Sequence, residues 1–264
     1  MKKAVIKLIK PLRILLTRLF LDPDIVFQKI KRKSWQENNA FRWAAAYAVK
    51  NQIIGDYLEF GVWKGDSFIE MYNQISDYSN MFYKEDKMIL RGINNQFNKI
   101  RFHAFDSFEG LPETSNKNNP LQYFKGNYNS EENYFKNRLF DEGIDTERVT
   151  ITKGWFNETL NDETAQKINL SKISIVYIDC DIYEGALSAL NFVTDYLQAG
   201  TVLILDDWFR NRGEPTQGVQ GAVLKWLSEN KNISLQHYYT CDTRTAIFII
   251  QMNQNVDLSS INYI

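Results

Sequence analysis

The sequence is poor in the residues that most often hold metals or act as nucleophiles. Its 264 residues include only two cysteines and two histidines. Cys180 and Cys241 are too few for a disulfide framework or a zinc ligand set. A reducing cytoplasm is the compartment such a chain is expected to occupy. His103 and His237 exclude a His-rich metal site, and both fall inside predicted strands, where they read as structural. Long apolar runs are also missing. Residues 4–21 are interrupted by Lys7, Lys10, Arg13 and Arg18, well short of the roughly 20 apolar residues a membrane span needs. The same charges break the apolar centre of a secretory signal. There is no internal repeat and no low-complexity linker. Charge of one sign is not in excess either. A net charge of −1 argues against a chain built to bind nucleic acid.

That small net charge hides an asymmetry. Residues 1–33 carry ten Lys/Arg against two acids, Asp22 and Asp24. At helical spacing Val5, Ile9, Leu12, Leu16 and Leu19 share one face, and Lys3, Lys7, Lys10 and Arg18 the other. One reading is a helix that packs on its own domain or on a partner subunit, which makes a homo-oligomer reasonable. The other is a peripheral helix touching anionic lipid through residues 1–21, at the inner face of the membrane.

The body has 44% hydrophobic and 24% charged residues, the composition of a globular domain. Residues 1–50 read as a basic helical extension and 51–264 as the main domain. Strands are expected at 56–60, 101–105, 148–153, 173–178 and 201–205, with a final antiparallel pair at 233–239 and 245–250. Helices are expected at 24–50, 67–78, 131–142, 182–197 and 219–230. The polar stretch 80–99 reads as an insertion. Strands alternating with helices, the central ones apolar throughout, predict a mostly parallel sheet covered on both faces. In such sheets ligands bind beyond the carboxyl ends of the strands.

Two sets of residues fall at those ends. The first begins with Glu59-Phe-Gly61-Val-Trp-Lys-Gly65, a strand running into a glycine turn and a helix. Its spacing is not the G-x-G-x-x-G of pyrophosphate binders, because Trp63 and Asp66 stand where glycines would be. An acid before the first glycine repels phosphate and suits a cation. S-adenosylmethionine, with a sulfonium and an ammonium group, is such a ligand. Asp106 ends the second strand, where an acid can accept both ribose hydroxyls.

The second set is Asp179-Cys-Asp181 and Asp206-Asp207, at the ends of two predicted strands. Neighbouring strands lie about 4.8 Å apart, so these carboxylates can meet. Clustered carboxylates raise one another's pKa unless a cation neutralises them. Oxygen ligands without His or Cys favour Mg²⁺ or Mn²⁺ over zinc. A divalent ion would suit an alcohol nucleophile, and a neighbouring carboxylate would take its proton. Cys180 reads as a buried thiol.

LEFGVWKG, FDSFEGLP, KGWFNETL, YIDCDIYEGALSAL and GTVLILDDW occur in that order. Together they resemble the macrocin O-methyltransferase (TylF-type) family of sugar O-methyltransferases, over roughly 57–208. The resemblance implies a class I methyltransferase (Rossmann-like) α/β fold with a mostly parallel seven-stranded sheet. It also implies S-adenosylmethionine, Mg²⁺ (or Mn²⁺) and a hydroxyl acceptor on a sugar or glycosylated molecule. Carried over by position, Glu59, Gly61, Trp63 and Gly65 would line the methionine end of the cofactor. Asp106 would hold the ribose, with Ser107 and Phe108 beside it. Gly154, Trp155 and Phe156 would lie near the adenine, unless the two aromatics are simply core. Asp179, Asp206 and Asp207 would be the metal ligands, and Asp179 or Asp181 the base. Trp208, where tyrosine is common, and Gly185 and Ala186, where hydroxyl residues are usual, depart from the pattern and bear on the acceptor. A metal-dependent phosphohydrolase and a membrane-associated scaffold are the competing classes. Neither explains Glu59 paired with Asp106.

Overall fold

The computed structural model describes residues 39–85, 96–113, 124–241 and 243–253. The basic segment 1–21, residues 24–38 of the helix expected at 24–50 and half of the polar stretch 80–99 (86–95) lie outside the described residues.

Seven strands form one sheet: β1 (Asp56–Phe60), β2 (Phe102–Asp106), β3 (Val149–Lys153), β4 (Ile173–Ile178), β5 (Val202–Leu205), β6 (Ile233–Thr240) and β7 (Ala246–Met252). Their order is β3-β2-β1-β4-β5-β7-β6. The first five are parallel, and β7 runs antiparallel to both β5 and β6. The chain builds outward from β1 to β2 and β3 on one side and then crosses back to add β4 and β5 on the other, so the order switches beside the tip of β1, the place where open α/β sheets bind ligands.

The central strands are apolar because both faces are covered. Every residue of β1, β2, β4 and β5 is buried. Side chains alternate between faces. Tyr57, Phe102, Ile175, Tyr177 and Ile204 pack on one side with α1 (Ala40–Lys50) and α2 (Asp66–Glu85). Leu58, Phe60, Val176, Ile178, Leu203 and Leu205 pack on the other with α6 (Tyr183–Val193) and α7 (Gly218–Glu229). Between α2 and α6 in the chain lie α3 (Glu132–Asp141) and two short helices, α4 (Phe156–Thr159) and α5 (Asp162–Lys167).

Three differences from the sequence reading have physical causes. Residues 40–50, grouped with the extension, form α1, whose Phe41, Ala44, Ala45 and Ala48 join the core. Helix α2 continues to Glu85, seven residues past its expected end. Met71, Ile75, Tyr78 and Phe82 keep helical spacing and pack on the core, so the apolar stripe carries the helix into the polar stretch. The short α5 was not expected. Its start is fixed by the side chain of Asn161, which accepts a hydrogen bond from the Thr164 amide at 2.9 Å.

Candidate active site

Sheet register brings the acids together. Glu59 pairs with Tyr177 across β1 and β4, and Ile178 pairs with Leu205 across β4 and β5. One residue beyond that last pair, Asp179 and Asp206 are neighbours at adjacent tips. The Asp206 amide donates to the Ile178 carbonyl at 3.0 Å, continuing the ladder.

Two tyrosines support the acids from below. Glu59 is fully buried, and its carboxylate accepts hydrogen bonds from the hydroxyls of Tyr57 and Ser67. The Tyr177 hydroxyl donates to Asp179 Oδ2 at 3.0 Å. Each tyrosine sits two residues before its acid, hence on the same strand face. Sequence reasoning missed Tyr57 and Tyr177, although their period-two spacing from the acids was visible.

The electrostatics follow from burial. Loss of hydration pushes the Glu59 carboxyl up to about 8, with Asp106 adding to the shift and the Ser67 and Tyr57 hydroxyls opposing it. Asp179 is pushed well above the carboxylate range by burial and by repulsion from Asp206, Asp181 and Asp207. Asp206 moves the same way through burial and Asp207, opposed by the Thr245 hydroxyl that donates to its Oδ1. Such shifts mark functional sites when they coincide with a ligand-binding position of the fold. Burial and the neighbouring Asp181, Asp179 and Asp207 raise the Cys180 thiol well above its ordinary value. Cys180 stays a protonated, buried thiol. His103 is buried with Nδ1 at the Thr150 hydroxyl, and His237 stands edge-on to Phe248.

The other expected residues are placed as follows. Gly61 (φ +88°) and Gly65 (φ +84°) both require glycine. A Cβ on Gly61 would lie 1.9 Å from the Asp179 carbonyl oxygen, and one on Gly65 would meet the Phe135 ring at 2.5 Å. Asp106, expected to hold a ribose, is taken up by backbone amides. Its Oδ2 accepts from the amides of Val62 (2.8 Å) and Trp63 (2.9 Å), and its Oδ1 from the Phe108 amide (2.7 Å). The carboxylate thus clamps the glycine turn of β1 to the end of β2. Ser107 closes the next turn, donating to the Gly110 carbonyl and accepting from the Glu109 amide. Phe108 is buried near Phe135. The Gly154 amide donates to the Asp106 carbonyl at 3.0 Å, which ties the end of β3 to that of β2. Trp155 precedes the first turn of α4, and Phe156 packs edge-on against Phe60. Phe156 therefore serves the core. Trp63 lies at the surface, edge-on to Tyr128.

The metal ligands expected from the sequence differ in their surroundings. Asp179 and Asp206 face each other, whereas the Asp207 carboxylate pairs with Arg210 at 2.9 Å and lies 3.8 Å from Arg244. Among the described residues, no three of His, Cys, Asp and Glu are grouped as a ready-made metal cage. Arg210, Arg244, Thr245 and Tyr128 belong to the surroundings of the site and were not singled out from sequence.

The strand order and the acid-lined tips define the class I methyltransferase fold. The Macrocin-O-methyltransferase (TylF) family matches residues 35–231, and the chain belongs to that family. A curated relative is the 8-demethyl-8-(2,3-dimethoxy-alpha-L-rhamnosyl)-tetracenomycin-C 4'-O-methyltransferase of Streptomyces olivaceus, 25% identical over 59% of this chain. The match spans about half, 54%, of that relative's length. Two solved structures share the fold. The O-methyltransferase NovP is 18% identical, with a TM-score of 0.59 over 81% of this chain and 78% of its own. The calicheamicin methyltransferase CalS11 is 20% identical, with a TM-score of 0.57 over 88% and 82%.

Proposed function

We propose that this chain transfers a methyl group from S-adenosylmethionine to a hydroxyl of a sugar or glycosylated acceptor. The observation that carries this reading is the buried Glu59 at the order switch, one strand from Asp179 and two from Asp206, whose carboxylates face each other. A fully buried carboxylate with only hydroxyl donors lacks a cation. The ammonium of the methionine moiety is a cation of suitable size. Family membership and the rhamnosyl acceptor of the Streptomyces relative support the same reading.

S-adenosylmethionine supplies a methyl group activated by its sulfonium. Glu59, held by Tyr57 and Ser67, binds and orients the amino-acid end. The Asp106 clamp keeps the Val62–Trp63 amides in place below it. Asp179 or Asp181 takes the proton as the acceptor oxygen bonds to the methyl carbon and the carbon–sulfur bond breaks. Tyr177 fixes the direction of the Asp179 carboxylate. The core aromatics Phe60 and Phe156 close one side against water.

The donor set fits a hard divalent cation, because the facing Asp179 and Asp206 offer buried oxygens whose repulsion an ion would relieve. Asp179, Asp206 and Asp207 would hold Mg²⁺, which would lower the pKa of the acceptor hydroxyl. Titration calorimetry with S-adenosylhomocysteine, with and without Mg²⁺, tests both proposals. No heat under either condition overturns the cofactor reading. A thermal midpoint that Mg²⁺ leaves unchanged overturns the metal reading.

Among the described residues no helix is long and apolar enough to cross a membrane. For residues 1–21 we keep the reading of a basic helix that packs on its own domain or on a partner subunit. Liposome flotation with and without them checks it. Vesicle binding by the full chain alone would overturn it.

A further inference from the structure

We infer that Trp63 and Tyr128 form an aromatic corner that receives the sugar ring of the acceptor, so that Trp63 serves the acceptor and not the cofactor. The inference rests on the proposed methyl transfer and adds the residues that recognise its substrate.

Large aromatics are normally buried, yet Trp63 is 40% exposed and Tyr128 is 41% exposed. The rings meet at 5.9 Å between centroids and 88° between planes, a right-angled corner. The corner is fixed from several sides. Trp63 Nε1 donates to the Asn129 carbonyl at 3.3 Å, tying the β1 turn to the segment that bears Tyr128. The Lys64 ammonium lies 4.5 Å from the indole centre. Both residues also have left-handed backbone, with φ of +44° at Trp63 and +60° at Tyr128. A bulky side chain at such a φ is strained, and such strain concentrates at binding sites.

The position of the corner identifies its occupant. The charges acting on the Tyr128 hydroxyl are those of Asp181, Asp207, Arg210 and Arg244, all at the chemistry end. The corner therefore lies within reach of the charge of Asp181, one of the two acids proposed to take the acceptor proton. A pyranose offers one face of weakly positive C–H groups and a rim of hydroxyls. Aromatic faces carry negative charge and attract the first. The phenol and the neighbouring charged side chains hydrogen-bond the second.

Saturation-transfer NMR on the full chain loaded with S-adenosylhomocysteine tests this, with the methyl glycosides of rhamnose, glucose and galactose as probes. At least one glycoside should receive saturation at its ring protons. Trp63→Ala and Tyr128→Ala should remove that signal, Tyr128→Phe should keep it, and all three should bind S-adenosylhomocysteine as wild type does. Wild-type chain that binds S-adenosylhomocysteine but saturates no glycoside overturns the inference and leaves methyl transfer standing. A loss of about tenfold or more in S-adenosylhomocysteine affinity for Trp63→Ala returns that residue to the cofactor and also overturns it. Wild-type chain that binds no S-adenosylhomocysteine overturns the function reading itself.

Discussion

Gly61 and Asp179 touch across the tips of β1 and β4: a methyl group on Gly61 would stand 1.9 Å from the Asp179 carbonyl oxygen. The turn expected to cradle the cofactor thus rests directly on the strand end that carries Asp179. Gly61→Ala meets both this backbone clash and a φ of +88°. It should destabilise the fold by at least about 2 kcal/mol. Urea unfolding should show a lower midpoint with an unchanged slope.

Glu59→Gln separates stability from binding. Glu59 titrates at about 8 in the fold against an ordinary 4.5, so folding takes up a proton between those values. Its contribution to stability is full below about 4.5 and is lost as pH rises through about 8. The variant lacks this proton, so its stability relative to wild type should rise between about pH 5 and about pH 9 in urea unfolding. It should also bind S-adenosylhomocysteine more weakly. In the wild type, a bound ammonium favours the ionised form, so binding near neutral pH should release a proton. The heat of binding should then differ between phosphate and Tris buffers, and that difference should vanish in the variant.

Asp106→Asn tests the clamp. An asparagine must turn its NH₂ toward at least one of the amides of Val62, Trp63 and Phe108, setting donor against donor. Loss of about 1–3 kcal/mol is expected, together with weaker S-adenosylhomocysteine binding. A residue that served the ribose alone would lose binding at constant stability. Thermal unfolding and calorimetry on the same preparation distinguish the two.

Asp206→Asn should trade activity for stability. Removing one charge relieves the repulsion with Asp179, and the amide oxygen can still accept from Thr245. A gain of about 1 kcal/mol, roughly 2–4 °C in the thermal midpoint, is expected. S-adenosylhomocysteine affinity should stay near wild type and methyl transfer should be lost. Unchanged turnover on an accepted glycoside would remove Asp206 from the chemistry.

The central strands were legible because β4 and β5 are almost wholly apolar runs, each followed by an acid, and the strand order came only with the fold. Glu59, Asp106, Asp179, Asp206 and Asp207 were legible because acids at strand ends are exceptional. Their partners were harder to see. Tyr57 and Tyr177 look like ordinary core residues until register pairs Glu59 with Tyr177. Arg244 and Tyr128 lie on connecting segments far along the chain, and only folding brings them near the tips, whereas Arg210 lies three residues from Asp207 and carried no motif. The role of Asp106 as a clamp was hidden for a further reason. Its partners are backbone amides, which carry no mark in the sequence.

The central claim is that the tip of β1 binds the methyl donor through Glu59. Titration calorimetry of wild type and Glu59→Gln with S-adenosylhomocysteine tests it most directly. The account predicts a saturable one-to-one isotherm for wild type and an affinity lower by about tenfold or more for the variant. Equal affinity in the two proteins, or no binding to wild type, would contradict it.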